Sequence, residues 1–143
     1  MLLGDLIEHL KTFTDVTNEV GDRLFINRAP TRASWPYVIV SRYGGDTPYS
    51  LAGEVGTTET AIQIVTWAKD PNGTLQADNA ASAIRDKLSG YRGLWGERFI
   101  NACTLENEPT DLTDDAGDGS NDDWHGVSQD YRVTHAQGLP TLS

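Results

Sequence analysis

The sequence predicts an α/β (α+β) fold in which a mostly antiparallel sheet of about four to five strands packs against an N-terminal helix and a central alanine-rich helix, with long loops between them. Three observations carry this. Residues 58–67 are mostly β-branched or aromatic, with Ile62 and Ile64 on one face and Val65 and Trp67 on the other, the pattern of a strand covered in part on both sides. The cluster Lys69-Asp70-Pro71-Asn72-Gly73 then ends the run with turn formers. After it, Ala77, Ala80, Ala81, Ile84 and Leu88 fall on one stripe of a 3.6-residue helix.

That helix has Thr74 as its expected N-cap and Asp78 near its positive end. Arg85 and Lys87 fall near the negative end, and Gly90 suits the left-handed position after the last turn. Its apolar stripe is small, so the helix axis is expected to lie close to the sheet. Earlier in the chain, Leu3, Leu6, Ile7 and Leu10 have amphipathic helical spacing, and this first helix is expected to end near residues 12–14. Residues 20–22 read as a turn and 24–26 as a short apolar strand. The connector 27–34 contains Pro30, which excludes a central strand there. Residues 37–42 form the next expected strand, with Pro36 just before it, where a missing donor matters least.

Residues 43–56 hold four glycines and one proline and read as the long loop of a hairpin whose return arm is 58–67. Residues 91–96 read as a loop with two large aromatics folded onto the core, and 99–105 as a strand. In the last expected strand Val127, Gln129, Tyr131 and Val133 alternate with polar residues, and it pairs with 99–105 through the intervening acidic loop. The expected core is Leu6, Leu10, Val38, Val40, Ile62, Ile64, Ile84, Leu88, Ile100 and Val133.

With 143 residues the chain is read as one domain, 1–135, with a terminal tail 136–143 that has little to bury. The single cysteine, Cys103, forms no internal disulfide and sits among apolar residues, where packing outweighs nucleophilic chemistry. No apolar run approaches the roughly 20 residues that span a bilayer, and the start lacks a signal-peptide pattern, so no membrane partner is expected. Charge is unevenly placed: residues 106–123 contain eight carboxylates and no Lys or Arg, so that segment alone carries −8 of the net −10. An acidic chain without a basic stripe is a poor candidate for gripping phosphates.

The acidic segment invites a calcium reading, since Asp114, Ala116, Asp118 and Gly119 fall at the first, third, fifth and sixth positions of an EF-hand loop. The match fails at Ala116 and at His125, which stands where a bidentate Glu is needed. A two-metal nuclease needs carboxylates fixed on rigid elements, and most of these lie in a loop-like run. His9, His125 and His135 are far apart, without a ligand companion, and each is expected at the surface or at a cap. No nucleophile elbow, phosphate loop or dinucleotide glycine signature is present. No catalytic, cofactor-binding or metal residue is therefore expected. The most basic stretch contains Arg23, Arg28 and Arg32, residues suited to meeting carboxylates across an interface.

The run Val20-Gly-Asp-Arg-Leu-Phe25, then Trp35-Pro-Tyr-Val-Ile-Val40, then Thr60-Ala-Ile-Gln-Ile-Val-Thr-Trp-Ala68 leading to the alanine-rich helix, resembles the tail-completion proteins of long-tailed bacteriophages. These include tail terminators and tail-to-head joining proteins, and the likeness runs from Leu3 to Val133. The resemblance implies a structural virion protein, assembled in the host cytoplasm and placed at the head–tail junction, without enzymatic activity or cofactor. It implies a homo-oligomer, a hexameric ring that caps the tail tube protein and offers its other face to the head–tail connector or head-completion protein. DNA passes through such a ring without specific binding. The alternatives are a head-completion or connector protein on the head side and a small non-viral protein-binding module. Candidate subunit or partner contacts are Arg23, Arg28, Arg32, Tyr43, Tyr49 and Leu51. Asp114, Asp115, Asp118, Asp122 and Asp123 are the candidate acidic lining of the lumen or rim.

Overall fold

The computed structural model describes residues 2–31, 33–44, 57–69, 72–114 and 124–136. Among these the chain runs α1 (Leu2–Lys11), α2 (Thr14–Val20), β1 (Leu24–Ile26), β2 (Tyr37–Gly44), β3 (Thr57–Lys69), α3 (Gly73–Leu88), β4 (Gly93–Trp95), β5 (Arg98–Leu105), β6 (Thr110–Asp114) and β7 (Trp124–Ala136). The seven strands make one sheet in the order β1-β2-β3-β7-β5-β4, with β6 also paired to β7. Its spine is the antiparallel pair of the two longest strands, β3 and β7, in register from Thr57↔Ala136 to Lys69↔Trp124. The expected hairpin is present as the antiparallel pair β2 and β3. Only β1 departs from the antiparallel rule, running parallel to β2.

Alternation along the strands decides which face is covered. Val38, Val40, Ile62, Ile64, Tyr131 and Val133 point to one face and join residues of all three helices in a single core. All ten expected core residues are buried. The stripe on α3 lies against this face, and Ala77, Ala80, Ala81, Ile84 and Leu88 are each at most 2% exposed. Gln129, buried in β7, donates to the Ala81 carbonyl at 3.1 Å and so ties strand to helix. On the opposite face Ile39, Val65 and Trp67 are only half-buried.

Several expectations are corrected. The N-cap of α3 is Asn72, in the left-handed conformation at φ 68° and without a side-chain cap bond, and Thr74 lies inside the first turn. Asn tolerates that conformation, so the turn and the helix start share one residue. Helix α2 was not expected, because its apolar signal is only Val16 and Val20, with the polar residues Thr17, Asn18 and Glu19 between. Burial of both valines, at 1% and 0% exposure, supplies what local propensity lacks. The expected loop at 91–96 contains strand β4, which pairs with β5 and sets Trp95 wholly inside the core.

The acidic segment is not one loop. Pairing of β5 with β7 ends at Leu105↔Tyr131, the Glu106 amide donates to the Asp130 carbonyl at 2.8 Å, and pairing resumes as β6 at Thr110↔Ser128. β5 and β6 are thus consecutive stretches along the same side of β7, interrupted by a short bulge at 106–109. Carboxylates are tolerated there because β6 has no second strand partner among the described residues, and charged edge strands resist non-specific pairing.

Candidate assembly interface

The face of the sheet turned away from the helices carries the features a protein partner can use. Ile39 and Ser41 of β2, Gln63, Val65 and Trp67 of β3, Thr110 and Leu112 of β6, and Ser128 and Asp130 of β7 line an open groove of about 530 Å³. Each reaches this face by the two-residue period of its strand. Trp67 lies flat over Gly126, where a Cβ would come within 2.8 Å of its Cε3 atom. Beside this end of the sheet, Trp35 packs on Trp124 and Tyr37 with ring centroids 5.1 and 4.8 Å apart. Half-exposed aromatics of this kind supply large contact area at low entropic cost.

Toward the other end, Arg132 of β7 donates to Glu59 at 2.7 Å and to Glu106 at 2.8 Å. These bonds, first that to Glu59, push the guanidinium pKa still higher. Tyr43, 55% exposed, stands in the same charged neighbourhood, and its phenol is pushed up by burial and then by the Asp130 carboxylate. The Oδ1 atom of Asp130 is buried without a hydrogen-bond partner among the described residues.

The sequence-predicted contact residues divide. Tyr43 is exposed, as an interface residue requires. Arg28 is exposed as well, in the turn after β1 where Asn27 takes φ 67°. Arg23 is engaged within its own chain, its Nε donating to the Pro36 carbonyl at 2.8 Å. That bond holds the connector against the strand. Asp114 is the last residue of strand β6, opposite Trp124, rather than a loop residue. Arg32, Tyr49, Leu51, Asp115, Asp118, Asp122 and Asp123 lie outside the described residues. The Arg132 bridge was missed by sequence reasoning. Its only signal was the polar phase of the last strand, and without the register its partners on β3 and after β5 were not legible.

The histidines also require correction. His135 is buried at 6% exposure, with Nε2 3.0 Å from the Thr60 hydroxyl and Nδ1 3.5 Å from Arg98. Arg98 in turn binds Asp5 at 2.9 Å, so this polar chain ties α1 to three strands. His9 is half-buried against Phe13, Tyr91 and Trp95, with ring centroids 4.9, 4.7 and 5.9 Å away. Cys103 is buried as expected, and burial pushes its thiol up to about 12. Among the described residues no group of three His, Cys, Asp or Glu is placed to hold a metal ion. No helix there is long and apolar enough to cross a membrane.

Among solved structures, one chain of the virion of a native gene transfer agent particle is similar at 16% identity, covering 94% of each chain with a TM-score of 0.68. This likeness shows the fold. No curated protein sequence matches. The model of the family described as tail completion protein gp17 matches residues 4–136 of this chain. The chain belongs to the tail completion protein gp17 family, structural proteins of the bacteriophage virion tail.

Proposed function

We propose that this chain forms a ring that ends the growing tail tube and joins the finished tail to the head, acting as a structural part without enzymatic activity. The observation that carries the reading is the family match over 4–136. The open sheet face supports it. Helices cover one side of the sheet, while the other offers a groove, half-exposed tryptophans and a charged cluster within one chain. A subunit that must touch a neighbour on each side, a tube below and a connector above needs such uncovered surface. The proposed partners are further copies of this chain, the tail tube protein and a head-side connector, with DNA passing through unbound.

The test is the mass of the purified protein alone and with tail tubes. The ring reading expects a discrete assembly of about six chains, each of 15.6 kDa, at least when tubes are present. A stand-alone binding module stays monomeric under both conditions.

A further inference from the structure

The two ends of the sheet carry opposite charge. At the β1–β2 end, Arg28 and Arg42 are both exposed, and neither makes an ion pair among the described residues. At the other end, the edge formed by β6 and the bulge before it presents Glu106, Glu108 and Asp111, all exposed. Among the described residues only Glu106 of these three has a cationic partner, Arg132, which it shares with Glu59. In the order β1-β2-β3-β7-β6, Arg28 just after β1 is four strand spacings of about 4.8 Å from β6, roughly 19 Å, and Arg42 on β2 is three, roughly 14 Å. Both separations exceed the screening length of about 8 Å at physiological salt, so Glu108 and Asp111 are poorly placed to neutralise Arg28 and Arg42 within one chain. Both ends are also strand edges: β1 is terminal in the sheet, and β6 pairs on one side only among the described residues.

We infer that neighbouring copies associate head to tail, with the cationic β1–β2 edge of one against the acidic β6 edge of the next. This rests on the ring reading and adds to it which surfaces meet. Two different, complementary patches on one chain give a heterologous contact, the kind that closes into a ring when its rotation allows. Each edge lacks what the other supplies. Arg28 and Arg42 offer guanidinium forks, which bind carboxylates bidentately, and Glu108 and Asp111 offer carboxylates that have no cation among the described residues. The edge of β6 that has no strand partner among the described residues adds backbone donors and acceptors for a strand-like contact.

The experiment uses two charge-reversed forms of the full chain. One carries Arg28→Glu and Arg42→Glu, so both of its edges are acidic, and the other carries Glu108→Lys and Asp111→Lys, so both are basic. Each is expected to fold, by circular dichroism and thermal midpoint, and to remain monomeric where the wild type assembles. Mixed in equal amounts they are expected to assemble again, because alternating copies restore an opposite-charge contact at every joint. Wild-type assembly is expected to loosen between about 0.1 and 1 M salt, as the screening length falls from about 10 to 3 Å. Neutral variants, Arg28→Gln with Arg42→Gln and Glu108→Gln with Asp111→Asn, are expected to weaken assembly and flatten that salt dependence even if a reversed form misfolds. Reversed forms that assemble alone as the wild type does, or that fail to complement each other while folded, overturn the inference and leave the ring reading standing. A wild type that stays monomeric beside tail tubes overturns the ring reading itself.

Discussion

Ile84 is wholly buried where the stripe of α3 meets the sheet, so truncating it removes transfer energy and leaves a cavity in a packed site. Ile84→Ala is expected to cost about 2 to 5 kcal/mol in denaturant unfolding, and an unchanged midpoint removes it from the core. His9 gives a second test at this scale. Burial holds its imidazole below the ordinary 6.5, so the folded chain favours the neutral ring. The unfolded chain then takes up this proton first as pH falls. The contribution of His9 to stability is complete above about pH 6.5 and is lost below it. His9→Phe is expected to lessen the drop in thermal midpoint between about pH 7 and pH 5. A drop as steep as in the wild type contradicts the assignment.

For the elements, legibility followed the strength of the local pattern. The strands 24–26, 37–42 and 58–67 and the stripe of α3 were readable because side-chain period alone decides them, and each is present. The elements α2, β4 and β6 were not, for three different physical reasons. In α2 two valines carry the whole apolar signal, and only tertiary burial makes seven residues helical. β4 is three residues long and hides Trp95 within a glycine-flanked stretch that resembles a loop. In β6 the carboxylates mask an edge strand that β7 templates. The small stripe of α3 makes its own prediction. Ala81→Leu must force the helix off the sheet and is expected to cost about 1 to 3 kcal/mol. Leu75, 60% exposed on the same helix, is expected to tolerate alanine with a change below about 0.5 kcal/mol. Equal losses at the two positions contradict the packing described.

For the whole molecule, the centre of the helix-covered face was legible, since every expected core side chain is inside, while Val16 and Val20 of the unexpected helix α2 joined that core only through the fold. The open face was legible only in part. Periodicity marks which side chains leave the core, but strand order and register decide which of them meet. The Glu59–Arg132–Glu106 bridge and the Trp35–Trp124 pair therefore emerged only from the fold. Function followed the same division. Short motifs shared with tail-completion proteins indicated the family, and the family match over 4–136 bears this out. The central claim is that the chain completes the tail, and images of particles assembled without it test this most directly. The account predicts overlong tails without heads, because nothing ends the tube or joins it. Tails of normal length attached to full heads contradict it.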